Sequence, residues 1–233
     1  MTSIAIIGLG QIGGSIVLSL RKNKARYRIT GIDTSARRLR LLKDHLDQSD
    51  TNWQASKDSD IVVLCLHYES IRQFLLDAPH NQLITDVCSG KFELLQLANR
   101  RNLRFIGGHP MIGNEFTAEK GWRDDLFENG PYFLCPAKKA TSKDLSKIRH
   151  FVKVLGARAI DVSAKQHDRF VAKTSHFPAF LSSMLKETGK SIPIEFQGPG
   201  FRSMTRLANT SPDLLQTFLE SNRENILRTS LTK

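Results

Sequence analysis

Short apolar runs alternate with helically spaced apolar positions through the first 162 residues. Short apolar runs bounded by turn residues are typical of strands buried on both faces of a parallel sheet. The pattern predicts strands at 3–7, 28–32, 61–66, 83–86, 103–106, 132–135 and 157–162, and helices at 12–22, 36–46, 71–76 and 145–155. This alternation predicts an α/β fold with a Rossmann-type, doubly wound and mostly parallel sheet.

The remainder of the chain has no strand signal and reads as helical, with segments at 163–186, 201–209 and 212–229. Pro178 lies inside the first segment, and a proline there removes a backbone hydrogen bond, so this helix should kink or split. We therefore expect a dinucleotide-binding domain at 1–162 and a smaller all-helical domain at 163–233.

A glycine-rich string, GLGQIGG, joins the first predicted strand to the first predicted helix. In this context Gly8 permits a tight turn, Gly10 lets the backbone approach a pyrophosphate and Gly13 lets helix and strand pack closely. The helix start at Gln11 and Ile12 offers free N–H groups to the anion. The string therefore predicts a dinucleotide site.

Asp33 ends the second predicted strand, 20 residues after the last glycine of that fingerprint. A carboxylate at this place accepts hydrogen bonds from a ribose 2′-hydroxyl and repels a 2′-phosphate, which favours NAD over NADP. Arg37 and Arg38 lie close by and weaken that preference. Leu66 and His67 follow the third apolar run, where the cofactor is expected to pass.

His109 stands in a GGHP string that follows a predicted strand. The two glycines predict a sharp turn, and the proline fixes the next φ angle. A histidine on such a turn suits proton transfer near neutral pH, but a turn with a merely structural histidine is an equal alternative. Ser89 and Lys91 also follow a strand, so they should share an edge of the sheet with His109 and the glycine loop.

The composition narrows the choice of ligand. There are 34 Lys and Arg against 23 Asp and Glu, a net charge of +11, but the basic residues are scattered and no nucleic-acid motif is present. Small anionic ligands are therefore the better expectation.

No apolar run approaches the roughly 20 residues of a membrane helix. The three cysteines lack metal-ligand spacing, so we expect no metal site and a location in the reducing cytoplasm. The first predicted strand begins at residue 3, which leaves no room for a signal peptide.

Several strings then follow in a fixed order: GLGQIGGS at 8–15, TDVCSGK at 85–91, GGHPM at 107–111, HD at 167–168, SHFP at 175–178, GFRSMTRLA at 200–208 and SNREN at 221–225. Together they resemble the prephenate/arogenate dehydrogenase family of tyrosine biosynthesis. The resemblance covers nearly the whole chain, and GGHPM combined with the S-H-x-P and GFR-xx-TR strings is its most specific part. It departs from the family at Ala179, where a second histidine is usual.

The resemblance implies a homodimeric enzyme that performs NAD(P)-dependent oxidative decarboxylation of prephenate or arogenate. Hydride leaves the ring carbon that bears the 4-hydroxyl, the ring carboxylate leaves as CO₂, and the ring becomes aromatic. It implies that His109 hydrogen-bonds and deprotonates that hydroxyl and that Ser89 supports it. It assigns substrate binding to Arg206 at a carboxylate, His176 in the pocket, Glu115 at the entrance and Arg202 toward the neighbouring subunit's site.

Other hypotheses remain at this point. Prephenate and arogenate are not distinguished, and a dehydrogenase of β-hydroxy acids would need a catalytic lysine, for which Lys173 is the nearest candidate. A non-catalytic NAD-binding regulator is the third, although the intact His109, Ser89 and Arg206 speak against it. The chain ends at Lys233, soon after the SNREN string, and we expect this to affect dimer strength and any feedback by tyrosine.

Overall fold

The computed structural model describes residues 1–112 and 118–230 of the chain. It divides the chain into two compact units, Met1–Ala164 and Lys165–Lys233. Glu115, which the resemblance assigns to the pocket entrance, lies outside the described residues.

An eight-stranded sheet organises the first unit. Its strands are β1 (Thr2–Ile7), β2 (Tyr27–Ile32), β3 (Gln48–Asp50), β4 (Ile61–Leu64), β5 (Leu83–Asp86), β6 (Arg104–Pro110), β7 (Pro131–Pro136) and β8 (Arg158–Asp161). Its helices are α1 (Gln11–Lys22), α2 (Ala36–Leu41), α3 (Tyr68–Asp77), α4 (Phe92–Arg100) and α5 (Ser142–Val154). The spatial order is β3-β2-β1-β4-β5-β6-β7-β8, and every pair is parallel except β6 with β7. The predicted doubly wound, mostly parallel sheet is confirmed.

Successive residues of a strand point to opposite faces of a sheet, and both faces are covered here. In β1, Ile4 and Ile6 pack into the core formed with α1 and α5. Ala5 and Ile7 pack into the second core, formed with α3 and α4. This explains why the central strands read as continuous apolar runs rather than as alternating ones.

The turn predicted at GGHP is wrong, because these four residues belong to β6 and pair with β7. Neither glycine has a positive φ angle. A Cβ atom on Gly108 would lie 2.4 Å from the backbone oxygen of Asp86, well inside van der Waals contact. The glycine therefore permits two neighbouring segments to approach closely, and His109 is held in a strand rather than on a loop.

Other boundaries also differ from the sequence prediction. The helix expected at 36–46 ends at Leu41 and continues as a separate 3₁₀ turn, Lys43–His45. The strand expected at 61–66 ends at Leu64. The pattern missed β3, which is a fully exposed polar edge strand of three residues, and it also missed α4.

The second unit is helical throughout its described part and contains α6 (Ala164–Val171, beginning at the boundary), α7 (Phe177–Thr188), α8 (Pro199–Met204) and α9 (Pro212–Ser230). A π-helical turn, Ala172–His176, stands between α6 and α7, and Pro178 occupies the first turn of α7. The split expected at this proline is thus observed. Among the described residues no helix has the length and apolar character needed to cross a bilayer.

Candidate functional site

The glycine loop between β1 and α1 is shaped by close backbone approaches. Gly8 has a φ angle of +90°, and a Cβ atom there would lie 2.3 Å from the Cys65 backbone oxygen. A Cβ atom on Gly13 would lie 1.9 Å from the Gly8 oxygen. By contrast, a Cβ atom on Gly10 would meet no described residue within 4 Å, which leaves room for a ligand on this side of the loop. Only glycine suits the first two positions, while the third leaves room for a pyrophosphate.

The start of α1 completes this cradle. Gly10 is the residue that precedes the helix, and as a glycine it provides no side-chain cap to the first turn. Gln11 and Ile12 form the first positions of the helix and are partly exposed. Uncapped N–H groups at the start of a helix attract anions such as a pyrophosphate.

Asp33 fixes the loop to the end of β2. Its Oδ2 accepts a hydrogen bond of 2.7 Å from the Leu9 backbone N–H, and its Oδ1 accepts one of 2.7 Å from Ser35. Arg38 also donates to Oδ2, at 3.3 Å. Two donors therefore saturate Oδ2, whereas Oδ1 can accept one further donor such as a ribose hydroxyl.

The two other residues expected beside the cofactor follow β4. A methyl carbon of Leu66 would lie 3.0 Å from a Cβ atom on Gly8, so Leu66 borders the glycine loop. His67 is exposed and immediately precedes α3. The strand order reverses between β1 and β4, and ligands of doubly wound sheets bind beyond the carboxyl ends of strands at such a reversal.

Ser89 lies just beyond β5, and His109 lies in the last part of the neighbouring strand β6. Thr85 of β5 is the register partner of Ile106 of β6, and Ser89 and His109 follow these partners shortly afterwards. His109 is 7% exposed and sits beside Phe133, with ring centroids 6.4 Å apart. The hydroxyl oxygen of Ser89 is buried, and no described residue hydrogen-bonds it. A buried hydroxyl without a partner is unfavourable unless a ligand or water supplies one.

A buried ion pair, Asp86 with Lys91, brackets Ser89 in the chain and is fully inaccessible to solvent. Lys91 also donates to the backbone oxygen of Gly108 at 2.7 Å, and Asp86 Oδ1 accepts the Gly108 N–H at 3.0 Å. Burial raises the pKa of Asp86, and Lys91 opposes that shift. The pair thus ties the Ser89 segment to the residue that precedes His109. Lys91 was predicted at this edge from the sequence, whereas its partner Asp86 was not, although both stand in the TDVCSGK string.

His176 is one of two buried histidines of the second unit, with His167, and it is fully inaccessible to solvent. Its ring stacks on Phe218 with centroids 4.1 Å apart. The Asn222 side-chain amide lies 3.2 Å from Nδ1 and donates to the Asp168 backbone oxygen at 2.8 Å. With Nδ1 as an acceptor, the proton of the neutral ring lies on Nε2, which has no hydrogen-bond partner among the described residues. Asn222 was not predicted as a site residue, although the SNREN string contains it.

Burial lowers the pKa of His176 to about 4, and the carboxylate of Asp168 only partly offsets this. Asn222 can turn towards His176 because its backbone leaves the helical region, with φ −152° and ψ 25°, inside α9. The histidine is therefore neutral near pH 7, and its buried Nε2–H meets no acceptor among the described residues.

The two arginines assigned to substrate binding are exposed. Arg206 opens a 3₁₀ turn, Arg206–Asn209, and has no hydrogen bond or ion pair with any residue that the structure describes. Arg202 in α8 donates to the Gln197 backbone oxygen at 2.6 Å. Arg206 is thus a guanidinium whose donors are available to an anion. Within the described ranges, no group of three or more His, Cys, Asp or Glu side chains could hold a metal ion.

Family models match both parts of the chain. The model for the prephenate dehydrogenase nucleotide-binding domain matches residues 16–161, and the model for the prephenate dehydrogenase dimerization domain matches residues 163–231. The chain belongs to the prephenate dehydrogenase family. The first match contains Asp33, Ser89 and His109, and the second contains His176 and Arg206.

Individual members of the prephenate dehydrogenase family are similar over nearly the whole chain. The prephenate dehydrogenases of Bacillus subtilis and Lactococcus lactis are each 31% identical, over 97% and 96% of this chain. The chain spans only 65% and 66% of the lengths of those two relatives. A crystal structure of prephenate dehydrogenase from Aquifex aeolicus with hydroxyphenyl propionate and NAD⁺ superposes with a TM-score of 0.89, at 26% identity, covering 99% of this chain and 86% of that one.

The burial of His176 predicts that the stability of the fold depends on pH. The unfolded chain takes up a proton on His176 near the ordinary pKa of 6.5, whereas the folded chain does so only near pH 4. The contribution of the neutral, buried His176 to the free energy of unfolding is therefore complete above pH 6.5, and it is lost as the pH falls towards 4. We expect the free energy of unfolding, measured in urea, to fall by about 2 kcal/mol more between pH 7 and pH 5 in the wild type than in His176→Gln. The exposed-histidine variant His150→Gln is the control and should retain the wild-type dependence. An equal dependence in His176→Gln would show that His176 is not the group responsible.

Proposed function

We propose that this chain is a prephenate dehydrogenase, an NAD-dependent oxidoreductase that converts prephenate into 4-hydroxyphenylpyruvate in tyrosine biosynthesis. The observation that carries the proposal is the buried hydroxyl of Ser89, which has no hydrogen-bond partner among the described residues and which follows β5, the neighbour of the strand that carries His109. Membership of the family supports it. Residues 1–162 would bind the dinucleotide, and residues 163–233 would bind substrate and form the dimer.

The proposed cofactor is NAD, which accepts the hydride when bound. Gly8, Gly10 and Gly13 would hold its pyrophosphate against the start of α1, and Gln11 and Ile12 would offer N–H groups there. Asp33 would accept a ribose hydroxyl on Oδ1. Leu66 and His67 would line the path beyond β4. The open space at Gly10 and the remaining acceptor position on Asp33 fit this group.

His109 and Ser89 are the proposed catalytic residues. The ring carbon of prephenate that bears the hydroxyl loses a hydride, the hydroxyl proton passes to the imidazole of His109, and the C–C bond to the ring carboxylate breaks to release CO₂. The electron pair of that bond completes the aromatic ring, and the resulting phenolate oxygen takes the proton back from His109 to give 4-hydroxyphenylpyruvate. Ser89 would hydrogen-bond the same hydroxyl oxygen and hold it against His109.

Prephenate also carries carboxylates that need cationic or hydrogen-bond partners. Arg206 would bind one of them through its planar fork, which matches a carboxylate at two points. His176 would donate from Nε2, the atom left without a described partner. We further propose that Glu115 lies at the pocket entrance and that Arg202 reaches the site of a neighbouring subunit.

The assembly proposed for the chain is a homodimer formed through residues 163–233. Large apolar side chains of this part are unusually exposed, including Phe196 at 79%, Met184 at 67% and Ile194 at 65%. Contiguous exposed apolar surface commonly marks a protein interface. We also propose a cytoplasmic location, since Cys65, Cys88 and Cys135 are all free thiols.

Replacing His109 with asparagine tests the chemistry. Asparagine keeps a hydrogen-bonding side chain but cannot take up the proton, so kcat for NADH formation from prephenate should fall by roughly 10²–10⁴-fold. The wild-type pH profile of kcat should rise with an inflection in the histidine range of about 6–7, and this limb should disappear from the variant. The dissociation constant of NAD⁺, measured by calorimetry, should hardly change.

The same assay separates the alternatives. Arogenate is offered in parallel with prephenate, and a higher kcat/KM for arogenate would reassign the substrate. A variant that retains most of its kcat, or the same inflection, would remove His109 from the role of base. A wild-type protein that binds NAD⁺ but oxidises neither compound would support a non-catalytic regulator instead.

Replacing Arg206 with alanine tests substrate binding. Loss of a charged contact to a carboxylate should raise the activation free energy that corresponds to kcat/KM by about 2–4 kcal/mol. Most of this effect should appear as a higher KM, because the contact is present before and during the reaction. Arg223→Ala removes another exposed guanidinium of the same unit and should leave KM near the wild-type value. An unchanged KM in Arg206→Ala would mean that the carboxylate binds elsewhere.

The dimer can be tested by light scattering on the full chain. The wild type should have twice the mass of one chain, and Phe196→Lys should shift the population towards the monomer, because a buried charge disfavours association. Leu41→Lys alters an exposed apolar residue of the first unit and should leave the mass unchanged. A wild type that is monomeric and fully active would contradict the proposal.

A further inference from the structure

Two arginines and a distant glutamate meet beside the end of β2. Arg37 and Arg38 lie in the first turn of α2, and Glu119 comes from a 3₁₀ turn, Ala118–Gly121. The Glu119 carboxylate lies 3.4 Å from Arg37 Nη2 and 3.6 Å from Arg38 Nε. Arg38 also contacts Asp33, the residue proposed to accept the ribose hydroxyl, at 3.3 Å. The two guanidinium groups are therefore matched by two carboxylates at this end of the glycine loop.

The segment that carries Glu119 is anchored on the glycine loop and α1. The indole N–H of Trp122 donates to the Gly10 backbone oxygen at 2.9 Å and is 3.2 Å from that of Leu9. The Arg123 N–H donates to the Ser15 hydroxyl at 3.0 Å. Gly14 allows this approach, because a Cβ atom there would lie 2.0 Å from the Trp122 ring. Trp122 thus places Glu119 relative to the same loop that the fingerprint assigns to the dinucleotide.

The charge of Glu119 matters at this place. A hydrogen bond from its own backbone lowers the pKa of Glu119, as do the two nearby guanidinium groups, so it is ionised near neutral pH. The side chain of Glu119 is 22% exposed and that of Arg38 is 31% exposed, so solvent screens this contact less than it screens the contact with Arg37, which is 71% exposed. Enzymes of this fold that use NADP commonly bind its 2′-phosphate with an arginine near the end of the second strand.

We propose that Glu119 is a specificity-determining residue that excludes NADP by holding Arg37 and Arg38 in ion pairs and by adding a negative charge beside the ribose. The inference rests on the proposed function, since it concerns the choice between two dinucleotides. A 2′-phosphate could recruit the arginines only by breaking their contacts with Glu119, and it would then face two carboxylates, Asp33 and Glu119.

The test is a binding measurement in the absence of substrate. Dissociation constants of NAD⁺ and NADP⁺ are measured by calorimetry for the wild type and for Glu119→Gln, which keeps the size of the side chain and removes its charge. The wild type should prefer NAD⁺. In Glu119→Gln the ratio of the NADP⁺ to the NAD⁺ dissociation constant should fall by about tenfold, the effect of roughly one charge-assisted hydrogen bond, and mainly through tighter NADP⁺ binding.

Two further variants sharpen the result. Asp125→Asn removes a carboxylate of the same segment that pairs with Arg123 at 2.8 Å, and it should leave the ratio unchanged. Adding Arg37→Ala and Arg38→Ala to Glu119→Gln should restore most of the preference for NAD⁺ over NADP⁺. The tighter NADP⁺ binding expected in Glu119→Gln depends on the released guanidinium groups, which the added substitutions remove. Unfolding midpoints of all variants establish that they are folded.

The outcomes distinguish the inference from the function on which it rests. An unchanged ratio in folded Glu119→Gln overturns the inference alone, as does an equal change in Asp125→Asn. A wild type that prefers NADP⁺, and whose NADP⁺ binding weakens in Glu119→Gln, would show that the glutamate positions the arginines for the phosphate. A wild type that binds neither dinucleotide overturns the proposed function together with the inference.

Discussion

The buried ion pair between Asp86 and Lys91 is the constraint on which the arrangement of Ser89 and His109 at the edge of the sheet depends. Removing two charges from water is unfavourable, and attraction between them offsets this only when their other hydrogen-bonding positions are also satisfied. Here the Gly108 and Cys88 N–H groups donate to Asp86, and the Gly108 oxygen accepts from Lys91. Such a pair contributes more to geometry than to net stability. It fixes the spacing between the segments that carry Ser89 and His109.

The same constraint explains the glycines of the GGHPM string. Gly108 offers both its N–H and its oxygen to the ion pair, and a side chain at this position would collide with the Asp86 backbone oxygen. The requirement is therefore close contact between β5 and its neighbour, with ordinary strand dihedrals. A glycine pair followed by histidine and proline fits a turn equally well from the sequence alone, which is why the turn was predicted. Only contacts distant in the chain distinguish the two, namely the pairing of these residues with β7 and the hydrogen bond from Gly108 to Asp86, 22 residues earlier.

Much of the fold was predictable because burial imposes a periodic pattern. The strand at 83–86 was predicted with the bounds that β5 has, since it is buried on both faces and ends at a charged residue. The polar edge strand β3 carries no such signal. In the candidate site, the glycine loop and Asp33 follow a local spacing and could be identified. Asn222, which orients His176 across 46 residues, depends on a tertiary contact and a backbone kink that no local pattern encodes.

The two arginines after Asp33 show a different limit of sequence reasoning. Read locally, Arg37 and Arg38 add positive charge where a 2′-phosphate would bind, and the net charge of +11 strengthens that impression. Long-range attraction of anions does depend on such a net charge, because the fields of all charges add over distance. Discrimination between two ligands that differ by one phosphate depends instead on the charges within a few ångströms. There the carboxylates of Asp33 and Glu119 balance the two guanidinium groups. A strongly basic chain can therefore attract both dinucleotides to its surface and still present a locally neutral cluster beside Asp33.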